Sequence, residues 1–272
     1  MKKLMPGRAG DGIVRPVMTP DVLTVLETYY DAAPRPLATA EEIGPFTLFL
    51  RRDPQGWPYY ARPRLWGEQQ FTAADVEEVR RAQRSAGAPE TLEWVHETTP
   101  TLLDAAQAAG LDVHRCPLLV LGEPLDVPRS GDGWLVELLD SESERLGSVE
   151  GAIHAGFSGT DEVEDTSPGI RPALMHEGLL ATAGAFDEQG QPLGGGSHNP
   201  RGRVSELAGI AVLPRARKRG IGAAITAALV EDARARGVET VFLSAQDDAV
   251  ARVYERVGFV RVGTACIAEP PE

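Results

Sequence analysis

The residues best suited to chemistry in this sequence lie between a strand predicted over residues 204–213 and a helix predicted to run to about Arg236. The connection carries a basic run, Arg215 to Arg219, which is followed by Gly220 and Gly222. Free N–H groups at a helix N-terminus, with the positive end of the helix dipole and nearby bases, favour the binding of phosphate groups. The glycines allow the backbone to approach such a ligand closely. The pattern therefore indicates a binding site for a polyphosphate.

Two common phosphate-binding loops do not fit this connection. The dinucleotide fingerprint requires G-x-G-x-x-G, and the nucleotide triphosphate loop requires G-x-x-x-x-G-K-[ST]. The spacing Arg217-x-x-Gly220-x-Gly222 instead resembles the R/Q-x-x-G-x-G/A pyrophosphate motif of the GCN5-related N-acetyltransferases, the GNAT superfamily, whose members bind acetyl-coenzyme A. For this motif taken alone, a basic loop that only caps a helix is the alternative interpretation.

A second signature of the same family follows along the chain. A strand predicted over 241–245 leads into a helix that contains Tyr254 and ends in Gly258-Phe259. Valines at 250, 253 and 257 predict an apolar stripe on this helix, and Gly258 is suited to cap it. The resemblance covers residues 134–272. It implies the GNAT fold, a mixed α/β (α+β) fold whose central, largely antiparallel sheet is flanked by helices.

The resemblance also implies a coenzyme site. Main-chain groups of the strand before the loop would pair with the pantetheine arm, and the amide of Ile210 would polarise the thioester carbonyl. The loop and the start of the helix would hold the pyrophosphate. The implied cofactor-binding residues are Ile210, Ala211, Val212, Arg217, Lys218, Arg219, Gly220, Ile221, Gly222 and Ala223.

One position departs from the family pattern. Many relatives carry an asparagine seven residues before the tyrosine, where its amide bonds the pantetheine arm, and Asp247 stands there in this chain. A carboxylate accepts that hydrogen bond but does not donate one, and aspartate is also a good helix N-cap. Asp247 is therefore a candidate cofactor contact, with helix capping as the alternative.

Two residues are candidates for the proton transfers that acetylation of an amine requires. Tyr254 matches the family's usual general acid, and a phenol of pKa ~10 can protonate a departing thiolate. Glu206 lies eleven residues before Arg217, which is the spacing of the catalytic glutamate in the histone acetyltransferase branch. The alternatives are that Tyr254 only packs and that Glu206 is an exposed charge.

Three further expectations concern the strands around this site. Strict alternation would place residues 206, 208, 210 and 212 on one face of the strand. His198 is the second candidate for the base, ahead of His154 and His176. Three consecutive glycines, 194–196, weaken a strand unless backbone or ligand packs against them, and a longer acyl donor is one such ligand.

The chain is predicted to divide near residue 126, within a segment rich in Pro, Gly and Asp over 122–133. Residues 126–272 would form the catalytic GNAT domain and residues 1–125 a smaller, degenerate GNAT-like α/β domain. A repeat supports this division, because helix, glycine and strand follow one another around Gly87 and Gly110 as they do around Gly237 and Gly258.

The first half lacks the pyrophosphate motif, and Ala106 stands where the second half has Tyr254. This half is therefore interpreted as a partner domain that shapes the acceptor pocket or forms an aromatic core. The candidate pocket residues are Trp57, Tyr59, Tyr60 and Arg62.

The patterns of hydrophobicity, caps and turns predict the remaining elements. Helices are expected over 21–31, from Thr72 to about 81, over 99–109 and over 141–157, with a loop over 160–172. Strands are expected over 46–50, 57–65, 91–95, 116–121, 134–139, 179–186 and 193–198.

Composition excludes several classes of function. The 272 residues carry a net charge of -13 and no apolar run long enough to span a membrane, and residues 1–8 do not resemble a secretory signal. We therefore expect a cytoplasmic protein that binds neither nucleic acid nor membrane and prefers a cationic substrate. Cys116 and Cys266 are too far apart in sequence to form a metal clip, so no metal is expected.

These observations together predict an acetyl-CoA-dependent N-acetyltransferase that acts on a primary amine of a small molecule or peptide, with a homodimer as a possible assembly. Direct attack in a ternary complex is favoured over an acyl-cysteine intermediate, because Cys266 has no histidine near it in sequence. The alternative is a non-catalytic acyl-CoA sensor or interaction protein.

Overall fold

The computed structural model describes residues 21–54, 56–67, 70–123 and 127–271, so residues 1–8 and the predicted boundary near 126 lie outside the described part. The helices are α1 (Asp21–Ala32), α2 (Ala73–Ser85), α3 (Thr101–Ala108), α4 (Leu146–Ser158), α5 (Arg171–His176), α6 (Ile221–Ala235) and α7 (Asp248–Glu255). The strands are β1 (Ala38–Ile43), β2 (Phe46–Arg51), β3 (Ala61–Pro63), β4 (Leu92–Val95), β5 (Asp112–Leu121), β6 (Ser130–Gly131), β7 (Trp134–Leu139), β8 (Ala181–Asp187), β9 (Pro192–Arg201), β10 (Val204–Val212), β11 (Thr240–Ser244) and β12 (Phe259–Glu269).

All of these strands join in one mixed sheet, in the order β1-β2-β3-β4-β12-β5-β11-β10-β9-β8-β7-β6. Two neighbouring pairs, β3 with β4 and β10 with β11, are parallel, and the other described pairs are antiparallel. The predicted fold class, a mixed and largely antiparallel sheet flanked by helices, is therefore confirmed.

The centre of the sheet exchanges strands between the two halves of the chain. The last strand, β12, lies between β4 and β5, and β5 lies between β12 and β11. The series α2-β4-α3-β5 thus corresponds to α6-β11-α7-β12. In the sheet, the corresponding strands β4 and β11 flank the central pair, β12 and β5, on its two sides. Division into domains at residue 126 stays a prediction, but each half needs a strand of the other to complete its sheet.

Helices cover both faces of the sheet. On β11, Phe242 packs with Tyr29 and Tyr30 of α1, whereas its neighbours Val241 and Leu243 pack in the core beneath α6. Successive strand residues point to opposite faces, so α1 lies opposite α6. α4 lies on the α1 face, while α2 and α3 cover Leu92 and Trp94 of β4 on the α6 face.

Local signals explain most element boundaries and some departures from the predicted ones. Thr72 forms a capping box with Asp75 at the start of α2, as its position predicted. β1 and α5 were not predicted, because β1 is a polar edge strand and α5 follows a turn-rich segment. The extended run over 57–65 forms only the short strand Ala61–Pro63, and α4 begins at Leu146 rather than near 141.

Candidate active site

A cleft opens where the parallel strands β10 and β11 separate. The two strands pair at Val204–Thr240, Ser205–Val241 and Glu206–Phe242, and their pairing ends there. Beyond this point β10 continues beside β9, and the space between β10, β11 and the two following helices is a cleft of about 730 Å³. Its lining includes β10 from Glu206 to Val212, the first turns of α6 and the inner side of α7.

A β-bulge lies in the wall of this cleft. Ala208 pairs with Ser197 and Ala211 pairs with Gly195, so three steps along β10 match two steps along β9. Gly209 supplies the required backbone conformation with φ +64°. The extra residue reverses the alternation, and the prediction that 206, 208, 210 and 212 share one face is wrong.

The consequence of the bulge is visible in the packing. Before the bulge, Leu207 packs beneath α6 while Glu206 points to the α1 face. After it, Ile210 and Val212 pack against the core beneath α6, and Ala211 packs with α4. Glu206 therefore lies on the opposite face from the side chains of Ile210 and Val212, although all three line the cleft.

The loop before α6 presents a row of backbone N–H groups. Lys218 has φ 62° and Gly220, the N-cap of α6, has φ 86°. The amide of Ala224 donates to the carbonyl of Gly220 at 3.0 Å, whereas the amides from Lys218 to Ala223 find no acceptor among the described residues. Such a run of amides at the positive end of a helix suits a pyrophosphate.

Two arginine side chains of this loop donate hydrogen bonds to backbone carbonyls outside it. The Arg217 guanidinium donates to the carbonyls of Val212 at 3.0 Å and Gly156 at 2.7 Å, and Arg219 donates to the carbonyl of Asp132 at 2.6 Å. These contacts hold the ends of β10 and α4 beside the loop. The backbone amides, rather than the Arg217 side chain, are thus the groups best placed to receive an anion.

Replacing Gly222 tests the position of the coenzyme. Gly222 lines the cleft, and a Cβ built on it would lie 3.8 Å from Val212 Cγ2, which is an ordinary contact. We expect Gly222→Ala to keep coenzyme A affinity and Gly222→Leu, whose side chain fills the cleft, to raise the Kd by at least ~10-fold, since overpacking costs on the order of 1–3 kcal/mol. Equal Kd values for the two variants by titration calorimetry would place the coenzyme elsewhere.

Tyr254 lies on α7 and lines the cleft. Its ring packs edge-on against Phe259, with the ring centroids 5.9 Å apart, and Val250 and Val257 flank it in the same core. Burial raises the pKa of Tyr254 to about 12. The phenol therefore keeps its proton at neutral pH and is available as a donor in the cleft.

Glu206 lies at the other end of the cleft, where β10 and β11 last pair. The Tyr30 hydroxyl donates to Glu206 Oε1 at 3.5 Å. Burial, reinforced by the charge of Glu93 and opposed by the Tyr30 hydroxyl and Arg62, raises the pKa of Glu206 to about 8. A carboxyl group with this pKa exchanges protons near neutral pH, which suits a general base.

A second cavity of about 740 Å³ opens on the α1 face. Its lining includes all four residues predicted to shape an acceptor pocket, Trp57, Tyr59, Tyr60 and Arg62. The two cavities share five lining residues, Phe157, Glu206, Ala208, Gly209 and Ser244, so they meet beside Glu206.

Three residues of this cavity were missed in the sequence. Tyr29 and Tyr30 lie on α1 and Glu93 lies on β4, so all three come from the first half of the chain. The adjacent tyrosines in an otherwise amphipathic helix and a glutamate within an apolar strand were the available signals. Both halves thus line the space next to Glu206.

The contacts of His198 give it a structural role, and its role as an alternative base stays a prediction. It is fully buried, and its Nδ1 and Nε2 contact Ser205 Oγ at 2.9 Å and Asp232 Oδ2 of α6 at 2.8 Å. These partners place the ring on the α6 face, away from Glu206. His154 lines the second cavity, whereas His176 ends α5 and lines neither cavity.

We expect His198→Ala to lower the free energy of unfolding by roughly 1–3 kcal/mol, because it leaves the buried hydroxyl of Ser205 without its histidine partner and removes the hydrogen bond to Asp232. Urea unfolding followed by circular dichroism measures this loss. The pH dependence of any catalysed reaction should stay as in the unmodified protein, and a displaced pH profile would favour His198 as the base.

Asp247 caps α7. Its carboxylate accepts a hydrogen bond from the amide of Val250 at 2.8 Å, it is exposed, and it lines neither of the two cavities. Capping thus accounts for the residue, and a contact with the cofactor stays a prediction.

The three glycines of β9 are explained by packing on both faces of the strand. A Cβ on Gly195 would meet Val149 of α4 at 2.5 Å, and a Cβ on Gly196 would meet Ile210 at 2.6 Å. Neighbouring side chains therefore fill the space that a longer acyl chain would have needed there.

Neither cysteine is poised as a nucleophile. Cys116 and Cys266 are buried free thiols on adjacent strands. Burial raises the pKa of Cys266 to about 11 and also raises the pKa of Cys116. Because the thiolate is the nucleophilic form, both side chains are almost entirely unreactive thiols at neutral pH. Within the described ranges, no three His, Cys, Asp or Glu side chains come together to hold a metal ion.

Comparisons with known proteins agree with this geometry. Residues 156–259 match the model of the acetyltransferase (GNAT) family, so the C-terminal half of the chain contains a GNAT domain. No curated protein matches the sequence significantly. No helix in the described part of the chain is both long and apolar enough to cross a membrane.

Solved structures extend the similarity of fold to nearly the whole chain. A GCN5-related N-acetyltransferase from Kribbella flavida aligns with 92% of this chain and 96% of its own, at 22% identity and a TM-score of 0.71. A tandem GNAT protein from the clavulanic acid biosynthesis pathway, without AcCoA, aligns with 84% of this chain and 79% of its own, at 17% identity and a TM-score of 0.54. A GCN5-related N-acetyltransferase from Sphaerobacter thermophilus aligns with 90% of this chain and 83% of its own, at 14% identity and a TM-score of 0.56.

Proposed function

We propose that this protein transfers the acetyl group of acetyl-CoA to a primary amine by direct attack in a ternary complex. The observation that carries the proposal is the cleft between β10 and β11. At one end it has loop amides that find no acceptor in the described part of the chain, and at the other end it has Glu206. Tyr254 lies in its wall, and a separate cavity joins it beside Glu206.

Different backbone groups of the cleft would bind different parts of the coenzyme. The amides from Lys218 to Ala223 would hold the pyrophosphate, and the backbone of β10 from Ile210 to Val212 would pair with the pantetheine arm. When bound, acetyl-CoA supplies an activated acyl group. The amide of Ile210, next to the bulge, would stabilise the oxyanion that forms when the thioester is attacked.

The proton transfers follow from the positions of the two ionisable groups. Glu206, as a carboxylate, takes a proton from the substrate ammonium group, so that the free amine attacks the thioester carbon. The carbon–nitrogen bond forms as the carbon–sulfur bond breaks. Tyr254 gives its proton to the departing sulfur, and the proton released from nitrogen restores the neutral phenol through solvent.

Direct attack is supported over an acyl-cysteine route. Cys266 is the only cysteine in the lining of the second cavity, and its thiol pKa of about 11 leaves little thiolate at neutral pH.

The proposal is tested by following the release of free coenzyme A thiol from acetyl-CoA over a panel of primary amines. The proposed enzyme releases thiol only when an amine is present, and initial rates against both substrates give intersecting double-reciprocal plots. Tight coenzyme binding without turnover on any amine would instead identify a non-catalytic acyl-CoA sensor.

A further inference from the structure

The charged side chains that line the second cavity differ in whether they have a partner within the protein. Each of its arginines has a partner within the protein. Arg62 is paired with Glu27 of α1, Arg171 with Glu150 at 2.9 Å, and Arg201 donates to the carbonyls of Ala33, Leu179 and Pro200. Arg62 and Arg171 are thus neutralised by carboxylates, whereas Arg201 has only carbonyl acceptors and Arg171 Nη1 has no hydrogen-bond partner among the described residues.

Two carboxylates in the same cavity lack such partners. Glu206 has only the Tyr30 hydroxyl, and Glu93 makes no hydrogen bond or ion pair to any residue of the described ranges. Each is mostly withdrawn from water, and burial together with the charge of Glu269, partly offset by Arg62, raises the pKa of Glu93 to about 7. Partly buried carboxyl groups without a cation take up protons rather than stay charged, so a positively charged ligand would favour the carboxylate form of both.

The walls between these carboxylates are aromatic. Tyr29, Tyr30, Tyr59 and Tyr60 all line the cavity. The guanidinium of Arg62 lies over the ring of Tyr30, 5.1 Å from its centroid, so one of the four rings already makes a cation–π contact within the protein. Rings of this kind hold an ammonium group and also pack against a short apolar chain.

We propose that the acceptor is a dicationic amine, in which one ammonium group lies at Glu206 and is acetylated while a second cationic group binds Glu93 among the tyrosines. The proposal rests on the proposed function for the role of Glu206. It gives the first half of the chain a definite part in the reaction, because Glu93 and the tyrosines belong to that half.

Titration calorimetry on the protein saturated with coenzyme A tests the proposal without requiring turnover. The probes are diaminobutane, diaminopentane and diaminohexane, each compared with the monoamine of the same chain length. We expect at least one diamine to bind roughly 10- to 100-fold more tightly than its monoamine, since only the diamine has a second charge that can pair with Glu93. Equal affinities, or no binding of either series, would overturn it.

The variant Glu93→Gln then tests whether Glu93 binds the second cationic group of the amine. The ratio of the two Kd values should fall towards one in this variant, and the same ratio of KM values should fall if the protein is active. Because the change removes a partly buried carboxyl group that has no partner among the described residues, thermal melting should show no loss of stability. Glu41→Gln makes the same substitution on the exposed strand β1 and should leave the ratio as it is.

The outcomes separate this inference from the proposed function. If monoamines and diamines are acetylated with equal KM values, the proposed acetyltransferase function would stand and the proposal of a dicationic acceptor would be wrong. A diamine preference in binding that Glu93→Gln abolishes, without turnover on any amine, would retain the binding site and overturn the enzyme. A preference that survives in Glu93→Gln would overturn the role of Glu93.

Discussion

Replacing Tyr254 with phenylalanine is expected to lower kcat by roughly 100- to 1000-fold, because general acid catalysis commonly contributes at least that much. Burial raises the pKa of Tyr254 to about 12, so the phenol holds its proton throughout the neutral range. Departure of a thiolate into a cleft lined by valines, without a proton donor, would leave a poorly solvated anion. Single-turnover mixing of the acetyl-CoA complex with amine measures the loss directly.

The phenylalanine variant carries its own control. It keeps the ring that packs edge-on against Phe259 and loses only the hydroxyl, so thermal stability and the Kd for coenzyme A should match those of the unmodified protein. Tyr254→Ala removes the partly buried ring as well and should lower the free energy of unfolding by roughly 1–3 kcal/mol. An unchanged kcat in Tyr254→Phe would remove the tyrosine from the proton transfers.

Replacing Glu206 with glutamine is expected to lower kcat/KM by about 100-fold at pH 9. It should also abolish the rise of kcat/KM with pH that the unmodified protein shows around pH 8. The pKa of the carboxyl group is raised to about 8, chiefly by burial. Below that pH it is mostly protonated and cannot accept a proton from the amine. The rate of the unmodified protein should therefore climb as the pH rises through about 8, while that of Glu206→Gln should lack this climb.

Stability provides the check that the glutamine variant is folded. The pKa of Glu206 is higher in the folded protein than in an unfolded chain, where a glutamate titrates near 4.3. The folded state is thus penalised as the pH rises between those two values, and the neutral glutamine escapes this penalty. Glu206→Gln should be at least as stable as the unmodified protein at pH 9. A rise of kcat/KM with pH that persists in the variant would assign the base to another group.

The sequence was sufficient for the parts of the site that depend on local chemistry. The loop from Arg217 to Gly222 needs glycine for its left-handed backbone and a helix directly behind it, and both requirements are visible in the order of the residues. The capping box at Thr72 and the turn at Gly258 are local in the same sense. Such features follow from residue types a few positions apart.

The parts that the sequence did not predict depend on contacts between distant residues. The bulge at Gly209 is defined by the register with β9, and a strict alternation pattern cannot reveal it. The two partners of His198, Ser205 and Asp232 of α6, likewise come from distant positions and could not be predicted from its neighbours in sequence. The exchange of β5 and β12 likewise results from pairing across the whole chain.

The second cavity shows the same limit. Glu93 is an unremarkable glutamate in its strand, and only the sheet and α1 bring it to the space that also contains Glu206. Trp57, Tyr59, Tyr60 and Arg62 were predicted either to line an acceptor pocket or to form a core. The structure places all four at the cavity, with Arg62 fully buried behind Tyr30 and Trp57 largely exposed at the surface.

The central claim is that the acetyl group passes directly from the coenzyme to an amine in the cleft between β10 and β11. Rapid mixing of the protein with acetyl-CoA labelled in its acetyl group, first without and then with diaminobutane, tests it most directly. The account predicts that the label stays on the coenzyme until the amine is added and then appears on the amine as free thiol is released. Label on the protein before the amine is added, at Cys266 or elsewhere, or label that never leaves the coenzyme with any amine, would contradict it.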